Sequence, residues 1–137
     1  MIRLINFIEN LLNMMVCSEI REKLANLPTK TVILLYLASR YSPEEHLSWV
    51  YYKDIIEFIE DVKGVYDRII HNVLAQLCRY YGFVNKRKIS KTEIYYRISE
   101  KGLRWLRWKI YVDRSIPEEL KVPAIDLVRI KVDGKII

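Results

Sequence analysis

The chain has 137 residues, 51% hydrophobic and 29% charged, which is enough apolar material for one packed domain and argues against wholesale disorder. With 23 Lys and Arg against 17 Asp and Glu it carries +6 at pH 7, a balance that suits a polyanionic partner. Two Cys (Cys17, Cys78) and two His (His46, His71) support neither a disulfide scaffold nor a metal module, and four Gly and four Pro leave no phosphate-cradling loop and no Pro-rich linker.

In chain order, the first predicted element is a helix, because Leu4, Ile8, Leu11, Leu12 and Met15 recur at helical spacing away from Arg3, Glu9, Asn10 and Asn13. Glu9 with Asn6, Asn10 and Asn13 interrupts the apolar core that a signal peptide would need, and no small-residue cleavage pattern follows. No run reaches the ~18 apolar residues of a membrane span. A soluble, cytoplasmic protein without a membrane partner is expected. A second helix is predicted after Ser18 as N-cap, with Ile20, Leu24 and Leu27 on one side and Pro28 closing it. A third, predicted from about Thr31 to Tyr41, is apolar nearly all round, as a central helix would be.

Ser42 to Glu45 reads as a loop and Leu47 to Tyr51 as a short strand. A short helix is predicted over Lys53 to Glu60 with Ile55, Ile56 and Ile59 inward, followed by a turn over Asp61 to Gly64. The next predicted helix spans about Val65 to Tyr81; its apolar stripe is Ile70, Leu74, Leu77, Cys78 and Tyr81, and Gly82 stops it. Strands are predicted near Phe83–Ile89 and Ile94–Ile98, with Ile94, Tyr96 and Ile98 on one face and Tyr95 and Arg97 on the other. Ser99 is placed to cap a helix from Glu100 to about Tyr111. In the tail, Val132-Asp133-Gly134-Lys135 signals a two-residue hairpin between Leu127–Val132 and Lys135–Ile137.

The charge is uneven along this order. Residues 1–62 hold six basic and nine acidic groups, a net of −3; residues 63–109 hold twelve basic and three acidic, a net of +9; residues 110–137 hold five of each. A single glutamine, Gln76, beside abundant Ile and Lys is a thermophile-like usage.

Two segments flank the basic hairpin: Leu77-Cys78-Arg79-Tyr80-Tyr81-Gly82-Phe83-Val84 before it and Tyr96-Arg97-Ile98-Ser99-Glu100-Lys101-Gly102 after it. With the helix order around them, they make about 80 of the 137 residues, from about Thr29 to Trp108, similar to the winged helix-turn-helix domains of bacterial and archaeal transcription regulators. In that family a helix ends in Gly followed by two apolar residues entering the wing, and the wing returns into a segment of the form Y-x-[LI]-[ST]-x-x-G. The resemblance implies a winged helix-turn-helix over 29–111; with the helical extension over 1–28 and the tail over 112–137 with its short β-hairpin, which the resemblance does not cover, the expected fold is α+β, mainly helical.

It also implies a recognition helix, about 65–81, in the major groove, and a basic wing, about 83–98, on the backbone or minor groove. If the apolar stripe faces the core, Arg68, Asn72, Ala75, Gln76 and Arg79 point outward. Arg pairs bidentately with guanine and Asn or Gln with adenine, while a small Ala permits close approach. Lys86, Arg87, Lys88 and Lys91 on the wing suit phosphates by charge and reach, and Lys63 and Tyr66 stand beside the helix start.

Against each sharp reading stands a plainer one. The polar helix face could simply be solvated. His71 has no second His or carboxylate at i+3 or i+4 and reads as a helix residue; Asp67 and Arg68 read as helix-start electrostatics. Cys78 reads as core, and Cys17 as an interhelix residue with a redox or intersubunit role as the minority reading. The run Leu103 to Lys109 mixes Trp with cations, a pattern that can stack single strands, but packing of Leu103 and Leu106 with Trp105 and Trp108 as covers is the plainer account.

The expectation is therefore a sequence-specific double-stranded DNA-binding protein, a transcription regulator, and a homodimer on the strength of the extra N-terminal helix pair and the exposed-looking aromatics. The alternative is a winged-helix protein-interaction module of replication, repair or transcription machinery. No enzyme is expected, since no nucleophile–base pair, carboxylate dyad or metal set is visible. No cofactor or metal is expected either, and a small-molecule effector is left open.

Overall fold

The computed structural model describes residues 19–137. The predicted helix over Leu4 to Met15, the Cys17 alternatives and the Ser18 cap lie outside the described residues. Residues 19–25 are helical (α1), and Ile20 and Leu24 pack their partly buried sides onto the core. Pro28 follows as the residue before α2 (Thr29–Ser39). Its fixed φ of −57° suits the helix start, and its carbonyl accepts from the Val32 N–H, so α2 begins two residues before the predicted boundary. Thr31 to Leu35, Leu37 and Ala38 are all buried, which makes α2 the central helix that its all-round apolarity predicts.

The predicted strand over Leu47 to Tyr51 is corrected to Val50–Tyr51 (β1). Leu47 instead closes a 3₁₀ turn, Glu45–Leu47, and is 59% exposed. The cause is Ser48, which is buried and ties back to Ser42: its hydroxyl donates to the Ser42 carbonyl (2.7 Å) and accepts from the Ser42 N–H (2.8 Å). Those bonds hold the segment as a turn.

α3 (Tyr52–Lys63) buries Ile55 and Ile59 and runs through the predicted turn to Gly64, whose φ of 64° ends it. Val65 and Tyr66 are outside the next helix, which is α-helical only over Asp67–Gln76 (α4) and continues as a π-type turn, Leu77–Tyr81. The wider turn rotates later side chains off the predicted stripe. Ile70, Leu74 and Leu77 are fully buried, Cys78 is half-buried, and Tyr81 is at the surface, which corrects its assignment to the core. Gly82 (φ 66°) terminates the turn as predicted.

β2 (Val84–Lys88) and β3 (Ile94–Ile98) form a hairpin, and β1 adds to β3, giving an antiparallel sheet in the order β1-β3-β2. Val84 pairs with Ile98, Lys86 with Tyr96 and Lys88 with Ile94. α5 (Glu100–Tyr111) begins at Ser99, whose hydroxyl accepts from the Gly102 N–H (3.1 Å) and donates to the Gly82 carbonyl (2.7 Å). One residue thus caps α5 and ties it to the end of the π turn.

The tail turns through two 3₁₀ segments, Glu118–Leu120 and Pro123–Leu127, and buries Ile116, Leu120, Ala124, Ile125 and Val128 in the same core as α2 and α5. Its hairpin is β4 (Lys131–Val132) and β5 (Lys135–Ile136), with Asp133 and Gly134 at positive φ (51° and 80°), as an Asp-Gly turn requires. Leu127 belongs to the 3₁₀ segment, so the strand predicted from Leu127 is shorter than expected. The architecture is α+β, mainly helical, with two small antiparallel sheets.

Candidate nucleic-acid interface

α4 is amphipathic. Ile70 and Leu74 hold its inner side, and the 3.6-residue period turns Arg68, Asn72 and Gln76 to solvent, with Ala75 half-buried between them. Arg79 and Tyr80 follow in the π turn, both exposed, Tyr80 at 82%. Tyr66, just before α4, is 80% exposed. On the hairpin, Lys86, Arg87, Lys88 and Lys91 are all exposed. All eight expected site residues are therefore at the surface.

Alternation along β2 divides the hairpin cations. Cross-strand partners share a face. Lys86 and Lys88 lie opposite Tyr96 and Ile94, on the face that buries Val84 and Ile98 lower down. Burial pushes the Cys78 thiol pKa up, against a smaller opposing pull from Lys86 and Arg79. Arg87 lies opposite Tyr95, on the other face, with Tyr51 next in the row. Its pairing position was not legible without the strand register.

The larger division is between engaged and unengaged cations. Arg104 pairs with Glu100 (3.0 Å), Lys109 with Asp113 (3.2 Å), Arg107 with Asp126 (3.2 Å) and Arg97 with Glu45 (3.8 Å). Lys63, expected beside a phosphate, instead donates to the Ala25 and Leu27 carbonyls (2.7 and 2.5 Å) at the end of α1. Among the described residues, Arg68, Arg79, Lys86, Arg87, Lys88 and Lys91 have no acidic group within 4.0 Å. Asn72 and Gln76 make no side-chain hydrogen bond to another described residue.

The remaining candidates fall into place around the core. The His71 ring stands at the surface, 5.9 Å from Tyr52. Trp105 packs on Phe83 (5.4 Å between centroids), as the plainer account of that run predicts, while Trp108 keeps an exposed edge. Tyr80 is the exposed residue that sequence reasoning passed over. The only signal for it was its place between Arg79 and the stop at Gly82. Among the described residues no group of three or more His, Cys, Asp or Glu could hold a metal ion, and no helix is long and apolar enough to cross a membrane. Comparison with protein-family models, with curated proteins and with solved structures finds no match to this chain.

Proposed function

We propose that this protein binds double-stranded DNA sequence-specifically as a winged helix-turn-helix transcription regulator. The observation that carries the reading is the group of five cations without acidic partners, Arg68, Arg79, Lys86, Lys88 and Lys91, on α4, the π turn and the hairpin, whereas Arg97, Arg104, Arg107 and Lys109 are paired with carboxylates and Lys63 with carbonyls. The helix order supports it: α2, β1, α3, α4, hairpin, α5 is the order of the family that the sequence resembles. In this reading α4 enters the major groove, Asn72 and Gln76 read base edges, Arg68 and Arg79 contact guanine or phosphate, and Lys86, Lys88 and Lys91 hold the backbone.

The test is fluorescence anisotropy with a random duplex across a salt series. Neutralising about five phosphates predicts a slope of log K against log salt near −4.5. No binding at low salt would overturn the reading. A selection from a random DNA pool tests the homodimer: a two-fold symmetric consensus is expected, together with a dimer mass by light scattering. The exposed Tyr66, Tyr80 and Ile89 favour a second reading, a winged-helix protein-interaction module, and that is the one an absence of DNA binding would leave.

A further inference from the structure

Arg87 does not share the hairpin face of Lys86 and Lys88, and the duplex reading gives that side of the sheet nothing to do. The pairing register aligns Tyr51, Tyr95 and Arg87 in one row across β1, β3 and β2, on the face away from the core. The Tyr51 and Tyr95 rings are 5.6 Å apart, and the Tyr51 hydroxyl donates to the Thr92 carbonyl (2.9 Å), which ties the hairpin tip to β1. Beside this row is a cleft of about 230 Å³ lined by His46, Trp49, Arg87, Ile89 and Tyr95. Its size is below the ~300 Å³ at which clefts for drug-sized ligands begin, so it suits one planar ring and a small substituent.

The charges around the cleft are also sorted. Glu45 is turned to Arg97 (3.8 Å) and Glu44 to His46 (3.7 Å), whereas Arg87 has no acidic partner among the described residues. The cleft therefore offers two aromatic walls and one unpaired guanidinium. Aromatic side chains on an open sheet face stack nucleobases, and Arg adds a bidentate contact to phosphate.

We infer that this outer sheet face is a second site, which takes a nucleoside monophosphate unit with its base against Trp49 and Tyr95 and its phosphate on Arg87. The unit is either a free nucleotide or the unpaired end of a DNA strand; the chemistry recognised is the same. The site is separate from the duplex-binding face, so either can fail without the other.

The experiment uses the full chain with Trp105→Phe and Trp108→Phe, which leaves Trp49 as the one tryptophan of the three. The probes are deoxyadenosine monophosphate, deoxyadenosine, a blunt duplex, and the same duplex with an unpaired 3′ extension. Saturable quenching of Trp49 by the monophosphate or by the extended duplex is expected. The first alone identifies a free nucleotide as the source, and the second alone an unpaired end. Arg87→Gln should weaken this binding about tenfold, and omission of the phosphate should do the same; the loss of one charge-assisted contact is of that order. Lys86→Gln with Lys88→Gln should weaken the blunt duplex and leave Trp49 quenching by the monophosphate unchanged. If the tryptophan substitutions unfold the chain, the Trp49 indole N–H resonance in the unmodified protein reads the same titrations. The inference is overturned by no response of Trp49 at millimolar monophosphate and with the extended duplex, by equal quenching from blunt and extended duplexes, or by an Arg87→Gln variant that binds the monophosphate normally.

Discussion

The Arg107 guanidinium donates to the Asp126 carboxylate across 3.2 Å and to the Ile125 carbonyl across 3.0 Å, with its face 4.8 Å from the Tyr111 ring. Lys121 completes the cluster by donating to the Tyr111 hydroxyl (2.9 Å) and pairing with Asp126 (3.2 Å). Part of the basic block therefore fastens the tail to α5. Those cations are engaged within the fold, so the net of +9 over residues 63–109 overstates the charge left unpaired at the surface.

Asp126 should set part of the acid stability. Lys121 first, and then Arg107, hold its carboxyl below the ordinary carboxylate value of 3.8. A carboxyl depressed in the folded state contributes stability above its unfolded pKa, and that contribution is lost as pH falls through the folded value. Because the side chain is half exposed, its worth is about 1 kcal/mol or less. Urea midpoints measured from pH 7 down to pH 2 should fall less steeply for Asp126→Asn below about pH 4. Equal acid limbs would remove Asp126 from the account.

Gly102 cannot carry a side chain without displacement of its neighbours. A Cβ there would stand 2.5 Å from the Phe83 carbonyl oxygen and 2.7 Å from Ile98 Cγ1, at the point where α5 leaves the hairpin. Gly102→Ala gains helix propensity and still should lose about 1–3 kcal/mol, because backbone cannot yield as a flexible side chain can. Thermal unfolding checks this; an unchanged midpoint would show that the joint relaxes freely.

Lys63→Met separates structure from binding. The ammonium group supplies donors to two carbonyls at the end of α1, and its loss should cost about 1–2 kcal/mol of stability. Duplex affinity and its salt slope should stay as they are. A reduced slope would return Lys63 to the phosphate contacts.

Lys86→Gln with Lys88→Gln should weaken binding to every duplex sequence alike and flatten the salt slope by about 2. Arg104→Gln, which removes a cation paired with Glu100, is the control and should change the slope little. Identical slopes for both variants would mean that net charge, and not the hairpin face, governs binding.

Asn72→Ala and Gln76→Ala should act on preference. Each removes a side chain able to pair bidentately with adenine, so discrimination at one base position should drop by about 1–3 kcal/mol while random-duplex affinity holds. Binding to single-base variants of a selected site measures this. A uniform loss across all variants would make these residues backbone contacts.

Most element types were legible because their signals are local. Alternating Ile94, Tyr96 and Ile98, the stop at Gly82, the Ser99 cap and the Asp133-Gly134 turn each act within a few residues, and each is found in place. The misses came from longer reach. Ser48 turned the predicted strand at Leu47 into a 3₁₀ segment by bonding to Ser42, and the π turn moved Tyr81 out of the stripe.

The sequence by itself determined the order of most elements among the described residues, which side of α4 is apolar, and that the basic residues concentrate after residue 62. Only the tertiary structure decided which of those cations remain without partners and which way each faces. Arg107 is engaged by Asp126, nineteen positions away, and Lys63 by carbonyls 36 and 38 positions away. Arg87 is turned from Lys86 by strand alternation, and the register of β2 against β3 sets it opposite Tyr95. Charge is a property of the residue. Its availability depends on groups that folding brings within a hydrogen bond of it, and composition and periodicity carry no record of them.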